Sequence, residues 1–456
     1  MPCPRRSWRM SVRFSELEGA KVGVWGAGRE IRSFAGQLAR RLPSARIAVA
    51  AFDEPPSEDI PATLRAPGVR VVSGAGVVAA LSECDLVVRS PGVSIHRPEM
   101  RSLKGAGIPV TTSTGLWLAE REGRGVLGVT GTKGKSTTAA LICHLARAAG
   151  AKAHLAGNIG VPALDLLDHA PTDLAVVELS SYQIADLGTG PEVALITNLF
   201  REHADWHGSE EAYRADKLRI LGLPGVRAVV YNARDPQLAG ATRDVAGAIP
   251  YGVRDGWDLT PAGIASGGEL ALASGDLPLP GEHNALNLCG ALAALEAVGV
   301  APPPLRRALQ GFSALPHRLE TVGEDGGILW VDDSISTTPE STLAALSSFS
   351  DREVILIAGG QDRGQDHAEL ARVLAARGAT LIGVPSTGPR LLAAAHAAGM
   401  PPDRAVEAPD LEAAVALAKE RARAGTVVLL SPAAPSYDNY RDFEERGERF
   451  RSLAAS

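Results

Sequence analysis

Gly128-Val-Thr-Gly-Thr-Lys-Gly-Lys-Ser-Thr-Thr138 stands between an apolar run, Val126–Val129, and an Ala/Leu-rich stretch, Ala139–Arg147. Strand, glycine-rich turn and helix in that order let backbone N–H groups close around phosphate oxygens. The helix N-terminus adds partial positive charge, and Lys135 adds a full one. Ser136 is placed to offer a hydroxyl to Mg2+. Val129 stands where the standard P-loop has its first glycine, so this is the shorter Thr-Gly-Thr-x-Gly-Lys-Ser/Thr form. A glycine-rich turn with a solvated lysine is the plainer reading.

Working outward, short β-branched runs alternate with helical stretches, which predicts an α/β fold with parallel sheets. Strands are expected at Lys21–Trp25, Arg46–Phe52, Val69–Val72 and Asp85–Arg89, forming an N-terminal Rossmann-like unit over residues 1–112. A central P-loop ATPase-like parallel sheet over 113–314 takes Val126–Val129, Leu174–Glu178, Val193–Thr197 and Ala228–Tyr231. It carries a small β excursion at 252–280 and a closing helix, Ala285–Ala297. A C-terminal Rossmann-like unit over 315–456 takes Ile328–Val331, Val354–Ile357, Thr380–Val384 and Val427–Leu430, and ends in a charged helix, Tyr440–Leu453.

The chain has 456 residues, enough for two to four domains. Its 52 acidic and 46 basic side chains give a net charge of −6, without the basic excess of a general nucleic-acid binder. Cys3, Cys84, Cys143 and Cys289 are scattered with no CxxC pair, which predicts neither a disulfide framework nor a zinc site and suits a reducing cytoplasm. No apolar run approaches the length of a membrane span. Met1–Ser11 is basic but lacks the apolar segment of a secretory signal, and Met10 is an alternative start.

Other residues carry chemistry. Glu178 closes an apolar strand in Val-Val-Glu-Leu-Ser-Ser-Tyr-Gln183, at the carboxyl edge where ligands collect in parallel sheets, and is a sound Mg2+ ligand. Its plainer reading is a capping carboxylate. His203, in Thr197-Asn-Leu-Phe-Arg-Glu-His203, is open to metal binding, phosphate orientation or a structural role. Lys217, in Tyr213-Arg-Ala-Asp-Lys-Leu-Arg-Ile220, would ordinarily be read as a solvated face. Gly26-Ala-Gly28-Arg-Glu-Ile31 is an incomplete GxGxxG, more in keeping with a phosphate-bearing ligand other than NAD.

Together these motifs resemble the Mur ligases, the ATP-dependent amino-acid ligases of peptidoglycan precursor synthesis, and look most like the MurD type. The likeness continues through Gly157-Asn-Ile-Gly160, His283-Asn-Ala-Leu-Asn287, Leu315-Pro-His-Arg-Leu-Glu320, Asp333-Ser334, Gly359-Gly360, Leu430–Asp438 and Phe443–Gly447. The resemblance implies ATP contacts from Gly131, Thr132, Lys133, Gly134, Lys135, Ser136, Thr137, Asn287, Arg318 and Asp333. It implies two Mg2+ sites, one on Ser136 and Glu178 and one on His203, and a carbamylated Lys217. Catalytic roles fall to Lys135, His203 and Lys217. Gly26, Gly28, Arg29, Ser90, Asn158, Ser180 and Gln183 would meet the UDP-muramoyl substrate. Thr337, Arg363, Ser436 and Phe443 would hold glutamate. The implied reaction joins glutamate to UDP-N-acetylmuramoyl-L-alanine through an acyl phosphate, in a cytoplasmic monomer without nucleic-acid or membrane partners.

The sequence departs from the usual MurD pattern around the amino-acid pocket. Ile335 replaces the lysine of Asp-Ser-Lys-x-Thr, Arg363 replaces the lysine after Gly-Gly, Pro435 precedes Ser436, and Ser113-Thr-Gly-Leu-Trp-Leu-Ala119 precedes the P-loop. An arginine fork does not hold a carboxylate as an ammonium does. These changes look like the variant MurD ligases that add L-glutamate, whose product a separate epimerase then converts. D-Glutamate stays open as the alternative. A folylpolyglutamate synthetase-like ligase is a more distant one, disfavoured by the N-terminal unit. A catalytically dead nucleotide-binding regulator is disfavoured by Lys135, Ser136, Glu178, His203 and Lys217, and nicotinamide binding would be needed for an oxidoreductase.

Overall fold

The computed structural model describes residues 11–56, 60–200, 204–279, 281–312, 316–362 and 365–455. His203, Arg363, Cys3, both alternative starts and the expected junction at 314–315 lie outside the described residues. The first sheet is built from β1 (Lys21–Trp25), β2 (Arg46–Phe52), β3 (Arg70–Ser73), β4 (Leu86–Arg89) and β5 (Val110–Thr111). It is wholly parallel, in the order β3-β2-β1-β4-β5. Its central strands are buried, as near-continuous apolar runs demand. The winding reverses between β1 and β4, which puts a ligand crevice beyond their carboxyl ends.

The second sheet takes β6 (Val126–Thr130), β7 (Ala153–Gly157), β8 (Leu174–Glu178), β9 (Val193–Ile196), β10 (Ala228–Asn232) and β11 (Ala248–Tyr251). All pairings are parallel, in the order β11-β10-β9-β6-β8-β7. The expected excursion is an antiparallel sheet of β12 (Trp257–Thr260), β13 (Gly263–Ser266) and β14 (Glu269–Ala273). The helix after it, Glu282–Ala297, starts three residues earlier than its apolar stretch suggests.

Val22, Val24 and Ile31 of the first sheet's layer share one apolar core with Trp117, Val126 and Val177 of the second. Each such large side chain contributes about 1.5–3 kcal/mol by leaving water. The chain accordingly forms two compact units. One runs up to Leu277 and includes Ala285–Gln310; the other holds Pro278–Asn284 and the residues from Gly311 onward.

The second unit contains β15 (Glu320–Asp325), β16 (Ile328–Asp332), β17 (Val354–Gly359), β18 (Thr380–Val384), β19 (Ala405–Glu407) and β20 (Val427–Leu430), in the order β15-β16-β20-β17-β18-β19. Only β15 is antiparallel, joined to β16 by Gly326-Gly327, both at positive φ as a tight hairpin requires. The last helix is Phe443–Ala455, three residues later than expected at its start. Asp442 Oδ1 accepts the Glu445 N–H at 2.8 Å and fixes that start, while the N–H groups of Asn439 and Tyr440 turn back to the Ser436 carbonyl.

Cys84, Cys143 and Cys289 are buried and unpaired, their thiols pushed up by burial, to about 11 for Cys84 and about 12 for Cys289. No helix among the described residues is long and apolar enough to cross a membrane.

Candidate active site

The glycine-rich loop leaves β6 between β8 and β9, with Val129 opposite Glu178 and Thr130 opposite Ile196. Gly131 has φ +143°, and a Cβ there would lie 1.9 Å from Thr197 Oγ1. Gly134, at φ +81°, caps the helix Lys135–Ala148 and would drive a Cβ to 2.5 Å from Asn287 Oδ1. Only glycine fits either place. The segment after β9 braces the loop. Lys133 N–H donates to Asn198 Oδ1 at 2.7 Å, Asn198 Nδ2 and Thr197 Oγ1 donate to the Lys133 carbonyl, and Thr132 N–H meets the Asn198 carbonyl. Thr132 Oγ1 lies 2.8 Å from the Tyr213 hydroxyl. Lys135 Nζ donates to the Thr132 carbonyl at 2.8 Å, and Ser136 and Thr137 are buried at the helix start.

Glu178 lies on β8 between Val129 and Gly157. Its Oε1 accepts from Asn158 Nδ2 at 3.0 Å, whereas Oε2 is buried without a hydrogen-bond partner. A buried carboxylate oxygen left in that state fits a divalent cation. Lys217, on the helix Glu210–Leu218, is not on a solvated face. It is 2% exposed, and its Nζ donates to the Gly131 carbonyl at 2.8 Å. The neighbouring Asp216 accepts from His207 and His96. Burial works to raise the Asp216 carboxyl, but those two donors outweigh it and hold it below the usual carboxylate range.

The crevice of the first sheet is shaped by small residues. Gly26 has φ +95°, and a Cβ there would lie 2.9 Å from Ser90 Cβ; one on Gly28 would lie 3.0 Å from Ser90 Oγ. Arg29 begins the helix that Gly28 caps, but its guanidinium donates to the carbonyls of Gly157, Asn158 and Gly160 at 2.7–2.9 Å. It steadies the turn that presents Asn158. Gln183 is likewise occupied: its Oε1 accepts from Ser180 N–H and Oγ, and its Nε2 donates to buried Glu30 at 2.5 Å. Glu30 also accepts from Ser113 and Thr114.

In the second unit, Asp333 follows β16 and accepts from Ser431 Oγ at 2.8 Å and Leu319 N–H at 3.2 Å. Burial pushes its carboxyl up to about 6 despite those bonds. Arg318 lies between two residues at positive φ, His317 (62°) and Leu319 (46°). The segment is pinned by His317 Nδ1 against Asp332 at 2.7 Å, a contact that raises the imidazole pKa. Buried Arg446 donates to Ser334 Oγ and to the carbonyls of Ser334, Ala434 and Gly359, which ties together the loops after β16, β20 and β17. Thr337, Ser436 and Phe443 lie on or beside those loops, with the Phe443 carbonyl accepting from Ser334 Oγ at 2.8 Å.

Residues 129–295 match the model of the Mur ligase middle domain, and 317–434 match that of the Mur ligase glutamate ligase domain. A Micromonospora protein named UDP-N-acetylmuramoyl-L-alanine–L-glutamate ligase is 43% identical over 451 residues, covering 96% of this chain and 97% of that one. The chain belongs to the Mur ligase family. A ligase of the same name from Xanthomonas euvesicatoria is 42% identical over 97% of this Mur ligase and 97% of its own length. In fold it is similar to MurC of Thermotoga maritima (TM-score 0.59, 20% identity, 96% and 100% covered) and to MurF of the same organism in complex with ADP (0.59, 16%, 98% and 97%).

Sequence reading missed several residues of this Mur ligase site. Asn198, Tyr213 and Glu30 support the loop or the Ser180–Gln183 turn, and Asp216, His207, His96 and Arg446 organise what surrounds them. An acid immediately before Lys217 was the available signal for Asp216; the others depend on pairings distant in sequence.

Proposed function

We propose that this Mur ligase joins L-glutamate to UDP-N-acetylmuramoyl-L-alanine, with ATP converted to ADP and phosphate. The observation that carries the reading is the convergence, at one edge of the second sheet, of a braced phosphate loop, the unpartnered oxygen of Glu178 and the buried Lys217. For L-glutamate the support is the name carried by relatives that align nearly end to end, together with Ile335 in place of a lysine.

Residues 1–112 receive the UDP part, at Gly26, Gly28 and Ser90 with Arg29 behind them, and Asn158, Ser180 and Gln183 receive the muramoyl part. Residues 113–314 bind ATP through Gly131–Thr137 and Asn287. Residues 315–456 contribute Arg318 and Asp333 toward ATP, and Thr337, Arg363, Ser436 and Phe443 toward glutamate. Ser136 and Glu178 would hold one Mg2+ and His203 a second, and the ions would supply charge neutralisation for the phosphoryl transfer. The Lys217 amine adds to carbon dioxide with loss of a proton, and the resulting carbamate presents a negative charge in place of a cation.

The alanyl carboxylate attacks the γ-phosphorus of ATP and ADP leaves, giving an acyl phosphate. The glutamate amine then attacks the acyl carbon, phosphate departs, and the amine proton is lost. Lys135 and the loop N–H groups act by fixed charge and positioning. The L,L product suits a glutamate epimerase as its next enzyme, and the ligase works as a cytoplasmic monomer on small molecules. The test is to supply UDP-N-acetylmuramoyl-L-alanine, ATP, Mg2+ and each glutamate enantiomer, then measure ADP and product mass. Preference for D-glutamate would overturn the stereochemical assignment, and no ADP or amide with either would overturn the ligase assignment.

A further inference from the structure

Beside the phosphate loop lies a four-residue hydrogen-bonded array with no part in the reaction above. Asp216 Oδ2 accepts from His207 Nδ1 at 2.7 Å and from His96 Nε2 at 2.6 Å. The far nitrogen of His207, Nε2, lies 3.0 Å from Ser181 Oγ. Ser181, His207 and Asp216 are buried, and the His96 side chain is about a third exposed. An ionised carboxylate that accepts from both rings fixes the tautomers, leaving His207 Nε2 to take the serine proton's hydrogen bond. The His–His–Asp set has metal-ligand chemistry, but its atoms already satisfy one another at hydrogen-bond distances.

Two members sit one position from a residue of the site, and a third lies on a connection that starts at one. Asp216 immediately precedes Lys217, whose amine reaches the Gly131 carbonyl. Ser181 immediately follows Ser180. His96 lies on the connection to the helix Pro98–Gly105 that begins at Ser90, beside Gly26 and Gly28. That connection is anchored separately by Trp206, whose Nε1 donates to the Gly92 carbonyl at 3.1 Å and whose carbonyl accepts from Ser94 Oγ at 2.7 Å. Trp206 stacks on Tyr182 at 4.5 Å, and His96 stands edge-on to it at 5.7 Å. Losing His96 therefore removes the link to Asp216 while other contacts still hold the connection in place.

We propose that Asp216 is a positioning residue, gripped by His207 and His96, that sets Lys217 against the phosphate loop. The proposal rests on the reading of Lys217 as the carbamate-bearing lysine.

The test compares His96→Ala, which removes the donor, with His96→Gln, whose amide N–H can replace Nε2–H, in the full-length enzyme. His207→Ala and His207→Asn form the second pair. Three quantities are read: kcat at saturating substrates, nucleotide-sugar affinity by calorimetry, and carbamate occupancy by carbon NMR in isotope-labelled bicarbonate. His96→Ala is expected to lower kcat about 10-fold or more and to diminish the carbamate resonance. Nucleotide-sugar affinity without ATP should change less than about 3-fold, and His96→Gln should recover most of both losses. Wild-type kcat and carbamate in His96→Ala, or a loss confined to nucleotide-sugar affinity, overturns the proposal. A wild-type enzyme without the carbamate resonance would strike instead at the reading of Lys217, and the kcat comparison would still decide the role of His96.

Discussion

Replacing Arg446 with methionine should loosen the carboxyl edge of the C-terminal sheet and weaken glutamate binding selectively. Burial lowers this guanidinium to about 10, so it remains cationic at neutral pH. It serves the carbonyls of Ser334, Ala434 and Gly359 and the Ser334 hydroxyl. An orphaned buried acceptor costs about 1–3 kcal/mol, and more when its donor was charged. Methionine fills most of the vacated volume, so little is added for a cavity. Second lone pairs and entering water soften the loss, which leaves about 3–5 kcal/mol for the C-terminal unit. At about 2–4 °C per kcal/mol for a unit of this size, the melting midpoint should fall by about 10 °C in scanning calorimetry. Arg446→Lys keeps the charge but cannot span three carbonyls from one ammonium, and should lose about half as much. In steady-state assays below the melting range, KM for glutamate should rise about 10-fold or more and KM for ATP less than about 3-fold. A midpoint shift under about 2 °C, or equal increases in both KM values, would refute the assignment of Arg446 as the tie between these loops.

Gly134→Ala must adopt left-handed backbone and displace Asn287, so nucleotide affinity should drop about 10–100-fold in a fluorescent-ATP titration, and unchanged affinity would discount the cradle. Lys217→Ala should lower kcat about 1,000-fold or more while keeping nucleotide-sugar affinity, and turnover that persisted unchanged in added bicarbonate would remove the carbamate role. Asp333, raised from an ordinary carboxyl to about 6, favours folding while protonated, and that contribution is lost as pH climbs from about 4 through about 6. Asp333→Asn should therefore stabilise the protein by up to about 3 kcal/mol at pH 8 and hardly at pH 4, with a loss of activity; equal melting shifts at both pH values would contradict the buried charge. The raised pKa of His317 acts in the same direction: the pair stabilises below the ordinary histidine range and fades as pH passes the raised value. Asp332→Asn should thus cost more at pH 6 than at pH 9 by urea melts.

The apolar, often β-branched runs declared themselves in the sequence: β1, β2, β8, β18 and β20 have the bounds expected from them. β5, with two residues, and β19, with three, are too short to show a period. β7 reads Ala-His-Leu-Ala-Gly and takes its strand conformation from pairing with β8, while β15 is a largely exposed edge strand. At the site, Lys135 and Glu178 were legible from tight local motifs, and Lys217 only through the family resemblance. The burial of Lys217 was not, since its partner is a backbone carbonyl 86 positions earlier. Gln183 and Glu30 meet across 153 positions, and Arg446 reaches Ser334 across 112, distances at which no local pattern reports a contact.

The shared core of the first two sheets, with Arg29 over the Gly157–Gly160 turn and Glu30 under Gln183, bears on any attempt to retarget the enzyme by transplanting a foreign nucleotide-recognition module. An exchange cut at residue 112 would strip the floor from the turn that aims Asn158 at Glu178, and would leave Gln183 without its acceptor. A workable chimera has to keep the helix Arg29–Arg41 and redraw only the strand-end loops above it.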